Sequence, residues 1–314
     1  MKKMIILGIA AMTALSCGNN KKENQDGAID IDGSSTVFPV TAAVAEEYRS
    51  VAPELDVLIG VSGTGGGFQK FTAGEIDIAN ASRPIKEDER KAAEANGIDF
   101  VELEVAYDGL AVVVNPENDW VECLTVEQLK KLWEPAAQGK ITHWNQLNPE
   151  WPNEEIHLFG PGVASGTFDY FTEAVVGKSG SSRGDYTASE DDNVLVQGVA
   201  GDKYGLGFFG LAYYEENKDK LKLVSVDGGE GCVEATRQTI SDGTYAPLSR
   251  PLYIYVNTSS LQNPEVVNFV EFYLQEAASL MKDVGYVALT PEEYQRELEK
   301  FRSFVKENTA AEPQ

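Results

Sequence analysis

Residues 28–48 read AIDIDGSSTVFPVTAAVAEEY, and this stretch indicates the plan of the fold. Alternating apolar residues from Ala28 to Asp32 predict a β-strand, and the small hydroxyl residues from Gly33 to Thr36 predict a loop. Beyond the loop, apolar residues return at helical spacing and would share one face of an α-helix: Val37, Val40, Thr41, Val44 and Tyr48. A strand, a hydroxyl-rich loop and a helix in succession are typical of an α/β protein.

The same unit recurs along the chain. A strand predicted at Leu55 to Val61 leads into Ser62-Gly63-Thr64, and one predicted at Glu155 to Phe159 leads into Ser165-Gly166-Thr167. Helix N-termini attract anions, because their first N–H groups lack partners and the helix dipole is positive there. Ser and Thr are also the usual N-caps, so one such loop says little. Three of them, residues 34–36, 62–64 and 165–167, predict a cage of neutral donors for a small oxyanion; we call them the hydroxyl loops.

The predicted elements divide into two lobes. Residues 101–114 are largely apolar, interrupted by Tyr107-Asp108-Gly109, and predict one long strand or a pair of strands. Pro251 to Val256 predicts another strand, and two amphipathic helices follow it. We therefore expect the chain to cross between lobes near residues 114 and 255. The expected division is 28–114 with 255–314 in lobe I and 115–254 in lobe II, around a central ligand cleft.

Lobe II contains the four tryptophans, Trp120, Trp133, Trp144 and Trp151. We expect them to pack in its core, with a sugar-binding platform as the alternative. The Gly-rich residues from Gly205 to Gly210 predict turns.

The formal net charge of −24 argues against nucleic acid or an acidic membrane surface as a partner. The same acidity would repel an anionic ligand unless short-range donors hold that ligand in a cleft, while salt screens carboxylates beyond ~8 Å. The predicted site must therefore consist of directed hydrogen bonds.

Other phosphate chemistries lack their residues. The stretch from Gly160 to Thr167 has no Lys before its Ser and Thr, as a Walker A loop requires. A serine hydrolase needs a His to accept the proton of its Ser, and His143 and His157 lie in no such motif. Cys and His are too few and too widely spaced for a zinc site. We expect no metal, no cofactor and no catalysis.

The N-terminal segment is typical of export. Lys2 and Lys3 precede an apolar run from Met4 to Leu15 that is too short to span a bilayer. The run ends at Leu15-Ser16-Cys17-Gly18, which resembles the lipobox of bacterial lipoproteins, whose Cys is acylated. On that resemblance Cys17 anchors the protein to a membrane in the periplasm or at the cell exterior. An ordinary cleaved signal is the alternative. Polar residues 18–27 predict a flexible tether.

Two cysteines remain, Cys123 and Cys232. An even pair in an exported protein is compatible with a disulfide, although sequence alone does not prove the pairing. The remaining ~290 residues suffice for two domains.

Four segments resemble the ligand-binding segments of the periplasmic phosphate-binding proteins, the PstS family. They are Gly33-Ser34-Ser35-Thr36-Val37-Phe38-Pro39, Ser62-Gly63-Thr64-Gly65-Gly66-Gly67-Phe68, Asn80-Ala81-Ser82-Arg83-Pro84 and Ala164-Ser165-Gly166-Thr167-Phe168. The resemblance covers nearly all of the mature chain. It implies an α/β, two-lobed type II periplasmic-binding-protein fold with hinge strands, which closes over inorganic phosphate. It further implies a monomeric receptor that delivers phosphate to the membrane permease of an ABC importer.

The resemblance also implies binding residues. Ser35, Thr36 and the backbone of Phe38 match the first segment, Thr64 matches the second and Ser82 lies in the third. The fourth segment supplies Ser165, Gly166 and Thr167. A receptor for sulfate, molybdate or arsenate, or a phosphate sensor, are the alternatives, and a phosphomonoesterase is a more distant one.

Two positions depart from the family's pattern. Better-known members have Arg four residues before the last Ser-Gly-Thr, where this chain has Pro161. They also have Asp just before the Ala-Pro of the third segment, where this chain reads Ser82-Arg83-Pro84. A planar guanidinium offers two donors to one phosphate, so we expect Arg83 to be the cation. Arg183 and Arg250 are the alternatives.

The acidic residue would decide specificity, because phosphate near neutral pH can donate a hydrogen bond and sulfate cannot. We expect Asp108 to accept that bond, since it interrupts an apolar run where an unpaired charge is costly. A turn-forming Asp-Gly pair is the alternative interpretation. Asp77 is a weaker candidate.

Overall fold

The computed structural model describes residues 27–309 apart from 164 and 282. Cys17 and nearly all of the predicted tether lie outside the described residues. The β-strands of the described part are β1 Ile29–Gly33, β2 Val57–Ile59, β3 Ile78–Ala81, β4 Phe100–Val114, β5 Cys123–Thr125, β6 His157–Pro161, β7 Thr187–Ser189, β8 Gly205–Gly210, β9 Lys222–Asp227, β10 Cys232–Val233 and β11 Ser249–Asn257. Its α-helices are α1 Phe38–Tyr48, α2 Gly63–Thr72, α3 Glu87–Ala95, α4 Val126–Trp133, α5 Gly166–Phe171, α6 Asp192–Ala200, α7 Leu211–Glu216, α8 Arg237–Ser241, α9 Pro264–Leu280 and α10 Pro291–Thr309.

The strand, loop and helix predicted from residues 28–48 are confirmed. Strand β1 leads through a turn into α1, and the predicted apolar face of that helix is buried. In the described part of the chain, no helix is long and apolar enough to cross a membrane.

The first sheet has the strand order β2-β1-β3-β11-β4, and we call it the N-terminal sheet. Strand β1 runs parallel to β2 and β3, whereas β11 is antiparallel to β3 and β4. Because the carboxyl ends of parallel strands meet at one edge, the segments that follow β1, β2 and β3 gather at that edge.

Strand β4 joins this sheet to a second one. It is continuous over 15 residues, so the predicted interruption at Tyr107-Asp108-Gly109 is absent. Residues 100–109 of β4 pair with β11, and residues 110–114 pair with β8 and β9. The change of partner at Gly109 and Leu110 begins the C-terminal sheet, in which β8, β6 and β7 follow β4. The lobe bounds at residues 114 and 255 remain predictions.

The turns predicted at Gly205 to Gly210 were wrong, because these residues form β8, which is buried along its whole length. Glycines often mark turns, but in β8 they allow neighbouring segments to pack closely against the strand. A Cβ on Gly207 would lie 2.8 Å from Cγ2 of Val199 on α6, and one on Gly205 would lie 2.9 Å from the carbonyl oxygen of Asp202. A strand between two such neighbours has no room for side chains at these positions.

The tryptophans pack as predicted. Trp133 and Trp144 are fully buried, and Trp144 lies edge-on to both Trp120 and Trp151 at centroid distances of 5.8 and 6.0 Å. At the edge of the C-terminal sheet β9 pairs with both β5 and β10, and a disulfide joins Cys123 of β5 to Cys232 of β10.

Candidate functional site

A cavity of about 280 Å³ lies at the carboxyl edge of the N-terminal sheet, where the loops of that sheet meet α5. Hydroxyl side chains from three loops line it, together with two arginines and residues of α5. The lining includes Ser35, Thr36, Thr64, Ser82, Arg83, Arg250, Asp169, Tyr170 and Glu173.

The first hydroxyl loop is held from several sides. The Ser34 hydroxyl accepts the N–H groups of Thr36 and Val37 at 3.2 and 3.4 Å, just before α1 begins at Phe38. The hydroxyl of Tyr286 donates to the Thr36 carbonyl at 2.8 Å. The N–H of Phe38 donates to the Ser34 carbonyl at 3.0 Å, so this amide is engaged within the helix. We expected it at the cavity, and the structure does not place it there. Ser34, Ser35 and Thr36 are the first loop's contribution to the cavity.

The second hydroxyl loop meets the segment that follows β3. The Thr64 and Ser82 hydroxyl oxygens are 3.1 Å apart, and the Ser82 N–H donates to the Thr64 hydroxyl at 3.2 Å. The Thr64 hydroxyl accepts from the backbone, so its proton is available to Ser82 or to a ligand.

Arg250 lines the cavity and contacts three parts of the site. Its Nε and Nη2 donate to Oδ2 of Asp108 at 3.3 and 3.2 Å, and Nη2 also donates to the Thr36 hydroxyl at 2.9 Å. The guanidinium stacks over the ring of Tyr170, with Cζ 3.6 Å from the ring centroid. Three elements, β4, α5 and the first hydroxyl loop, therefore fix one cation against the cavity.

Asp108 lies beneath this cation with 1% of its surface exposed. Burial raises the pKa of its carboxyl group, while the charge and hydrogen bonds of Arg250 oppose that rise. Asp108 lies within β4, directly opposite Arg250 on β11, so it forms no turn. A carboxylate here is tolerated only because a cation pairs with it.

Arg83 also lines the cavity, but its guanidinium is directed towards another carboxylate. Its Nη1 and Nη2 donate to the two carboxylate oxygens of Glu89, each at 2.8 Å, and Nη1 donates to the Pro84 carbonyl at 3.0 Å. Arg183 is buried elsewhere: it donates to the two carboxylate oxygens of Asp185 at 2.5 and 2.9 Å and to the carbonyl groups of Leu132 and Ile141. Of the three arginines named in the sequence, Arg250 has the contacts that an anion site needs.

The third hydroxyl loop closes against the first. The Ser165 hydroxyl caps α5 by accepting the Thr167 N–H at 3.2 Å. Gly166 packs directly on Thr36: a Cβ built on it would lie 3.1 Å from Cα and 3.2 Å from Oγ1 of Thr36. Ser165, Gly166 and Thr167 thus lie beside the cavity, and Asp169, Tyr170 and Glu173 of the same region line it.

Other candidates have structural partners. Asp77 accepts the Ser260 hydroxyl at 2.6 Å and the Asp30 N–H at 2.9 Å, away from the cavity. His143 lies 2.9 Å from the Thr142 hydroxyl, and His157 pairs with Asp202 at 2.5 Å. Within residues 27–309, leaving aside the two undescribed positions, no group of three or more potential metal ligands occurs.

Comparison with known proteins places this geometry in a family. Residues 19–277 match the model of the PBP superfamily domain. "Phosphate-binding protein PstS" of Staphylococcus saprophyticus is 40% identical over 316 residues, covering 97% of this chain and 96% of that protein. The chain belongs to the PstS family. "Protein SphX" of Synechocystis sp. is 48% identical over 292 residues, covering 93% of this chain and 84% of the relative.

A solved structure agrees with this assignment. The crystal structure of a possible phosphate binding protein from Planctomyces limnophilus superposes with a TM-score of 0.84 at 48% identity, covering 88% of this chain and 98% of that one. The predicted resemblance to the PstS family and the two-lobed periplasmic-binding-protein fold are confirmed.

Sequence reasoning ranked Arg250 below Arg83, and a signal for Arg250 was present. The tripeptide Ser-Arg-Pro occurs twice, at residues 82–84 and at residues 249–251. The second copy opens β11, the strand that pairs with the strand carrying Asp108. Tyr170 and Tyr286, which support Arg250 and Thr36, carried no signal in the sequence because their partners come from distant segments.

Proposed function

We propose that this chain binds inorganic phosphate outside the cytoplasm and delivers it to an ABC importer. The observation that carries the proposal is Arg250, held by Asp108, Thr36 and Tyr170 at the wall of a cavity lined by hydroxyl groups. Hydroxyl donors and two arginines, each paired with a carboxylate, suit a small tetrahedral oxyanion in an otherwise acidic protein, in a cavity whose lining also includes Asp169 and Glu173. The names of the PstS relatives support phosphate as that oxyanion.

In this proposal Ser35, Thr36, Thr64 and Ser82 provide hydroxyl donors from lobe I. Ser165, Gly166 and Thr167 complete the cage from lobe II through the N-terminus of α5. Arg250 takes the cationic role that we first assigned to Arg83, which contributes from the edge of the cavity. We infer that Asp108, which lies beneath Arg250 and is not among the residues that line the cavity, accepts a hydrogen bond from protonated phosphate and thereby selects against sulfate.

Transport would follow from closure of the two lobes, 28–114 with 255–314 and 115–254, over the ligand. Acylation of Cys17 would hold the monomeric receptor at the membrane that contains the permease. The PstS relatives bear the names of binding proteins rather than enzymes, and we infer that this chain, too, is not an enzyme.

Isothermal titration calorimetry on the chain lacking residues 1–17 tests the proposal. We expect tight, one-site binding of phosphate and at least ~100-fold weaker binding of sulfate, since a site built around a donated hydrogen bond rejects an analogue that lacks it. Equal binding of sulfate or molybdate, which carry no proton near neutral pH, would favour a general oxyanion receptor. Turnover of a chromogenic phosphoester would favour a phosphomonoesterase.

Replacing Asp108 by Asn should reduce the discrimination between phosphate and sulfate by at least ~10-fold, mainly by strengthening the binding of sulfate. The change removes the negative charge that repels sulfate and leaves an amide that can donate to it. Titrations of both anions against the unsubstituted chain measure the ratio. Asp219→Asn, at an exposed position outside the cavity, is the matched control. If the ratio survives in Asp108→Asn, Asp108 is not the proton acceptor.

Replacing Gly166 by Ala should weaken phosphate binding by ~10-fold, because the added methyl group would lie 3.1–3.3 Å from the Cα, Oγ1 and N atoms of Thr36. Alanine favours a helical first turn, so the thermal midpoint should stay near that of the unsubstituted chain. Gly184→Ala is the control, since its nearest neighbour would be Oε1 of Gln138 at 3.7 Å. Unchanged affinity in Gly166→Ala would show that the contact between residues 166 and 36 does not govern binding.

A further inference from the structure

A buried carboxylate lies directly behind the first hydroxyl loop. Asp32, the fourth residue of β1, is 6% exposed, and its Oδ1 accepts the Gly33 N–H at 2.6 Å. The same oxygen accepts the N–H of Ser62 at 2.9 Å and the hydroxyl of Ser62 at 2.8 Å. The ammonium group of Lys70 donates to Oδ2. Four donors therefore converge on one carboxylate that does not line the cavity.

These partners lie at the two ends of helix α2. Ser62 is its N-cap residue and Lys70 belongs to its last turn, so Asp32 holds both ends of the helix against β1. The intervening glycine allows the close approach: a Cβ on Gly67 would lie 2.6 Å from Cα of Gly33. Similarly, a Cβ on Gly60 would lie 2.6 Å from Oδ2 of Asp32. The position of α2 is thus fixed by this carboxylate together with backbone packing.

The first turn of α2 is the part that reaches the ligand. Gly63, Thr64 and Gly65 line the cavity, and they follow directly after Ser62. By binding the N–H and hydroxyl of Ser62, Asp32 determines where the N–H groups of this turn and the Thr64 hydroxyl point. A displacement of Ser62 would move these donors relative to Arg250 and the first hydroxyl loop.

The charge of Asp32 creates a second requirement. A carboxylate this close to an anion site would repel the anion unless a cation neutralises it. Burial acts to raise the pKa of Asp32, but the hydrogen bonds from Lys70, Ser62 and Gly33 outweigh it, so the pKa lies below its ordinary value. The Lys70 side chain is 41% exposed, and it is the cation that pairs with Asp32.

We propose that Asp32 is a positioning residue for phosphate, which sets the donors of the second hydroxyl loop, and that Lys70 is the counter-charge that makes its carboxylate compatible with an anion site. This inference rests on the proposed function, since it concerns how the same cavity binds phosphate.

The test uses the chain lacking residues 1–17 and measures phosphate affinity by calorimetry and stability by thermal unfolding. Asp32→Asn should weaken phosphate binding by at least ~10-fold, because an amide cannot accept all the donors that now meet the carboxylate. Lys70→Met should also weaken binding, through the uncompensated charge of Asp32, and added salt should relieve that loss in part. The double variant Asp32→Asn with Lys70→Met should bind better than Lys70→Met and show no such salt dependence.

A double-mutant cycle separates positioning from general stabilisation. If Asp32 acts through the second hydroxyl loop, its effect on phosphate affinity should largely disappear in a Thr64→Ala background and persist in a Ser165→Ala background. Lys70→Met changes a partly exposed residue, so it still tests the charge relation if Asp32→Asn fails to fold. The control is Lys306→Met, near the exposed end of α10.

The outcomes are distinct. A variant Asp32→Asn that unfolds at lower temperature but binds phosphate normally would overturn the positioning role and leave the proposed function intact. Equal losses in the Thr64→Ala and Ser165→Ala backgrounds would overturn it as well. If the unsubstituted chain binds no phosphate, the proposed function fails, and the role of Asp32 fails with it.

Discussion

Arg250→Met is expected to lower phosphate affinity by at least ~100-fold, because it removes a charge-assisted donor and leaves Asp108, which lies beneath it, as an uncompensated buried anion. The same change should lower the free energy of unfolding by about 3–5 kcal/mol, the usual effect of breaking one partner out of a buried ion pair. Calorimetry and denaturant unfolding measure the two effects separately.

Arg83→Met is the matched control for this prediction, since it removes an arginine that lines the same cavity but pairs with Glu89. We expect a smaller loss of affinity from it. The double variant Arg250→Met with Asp108→Leu should recover stability without recovering phosphate binding, because no charge is then left buried and unpaired. A larger loss of affinity in Arg83→Met than in Arg250→Met would return the cationic role to Arg83.

Removing the disulfide is expected to lower the free energy of unfolding by roughly 4–5 kcal/mol, the amount that loop-closure entropy predicts for a loop of this length. Cys123 and Cys232 are separated by 109 residues along the chain. Their strands, β5 and β10, have three and two residues, and both pair with β9. Denaturant unfolding of the double variant Cys123→Ala with Cys232→Ala measures the loss.

A reductant provides the control, since it should destabilise the unsubstituted chain and leave the double variant unchanged. Neither cysteine lines the cavity, so phosphate affinity should be the same with and without the disulfide under folding conditions. Equal unfolding midpoints for the two proteins would show that the crosslink contributes little. A lower phosphate affinity in the double variant while it is still folded would indicate that this end of the C-terminal sheet influences the site.

Elements with strong local signals were predictable. The unit from β1 through the first hydroxyl loop to α1 follows from an alternating strand pattern, small loop residues and a helical apolar face, all of which are read within about 20 neighbouring residues. Strand β8 was not predictable in this way. Its glycines resemble turn residues, and the reason for them is the proximity of α6 and the β-strand neighbours in space.

The site residues likewise fall into those that a local pattern predicts and those that it does not. Hydroxyl loops before helices are a local feature, so Ser35, Thr36, Thr64, Ser165 and Thr167 could be named from the sequence. The cation could be named only as one of three arginines, Arg83, Arg183 and Arg250, because the repeated Ser-Arg-Pro tripeptide marks both Arg83 and Arg250 and does not rank them. The structure separates them by their partners: Glu89 for Arg83, Asp185 and two backbone carbonyls for Arg183, and Asp108 with Thr36 for Arg250.

Strand and helix periods and N-cap chemistry are properties of neighbouring residues, so an α/β fold with hydroxyl loops before its helices could be predicted without coordinates. The resemblance to the PstS family came separately, from four short segments of the chain. The charges that complete the cage could be identified only from the folded chain. Asp108 and Arg250 are 142 residues apart in the chain and meet because β4 and β11 pair in one register. The register of β4 against β11 is set by burial and by the rest of the sheet. No local pattern in either strand specifies that register, and the ion pair depends on it.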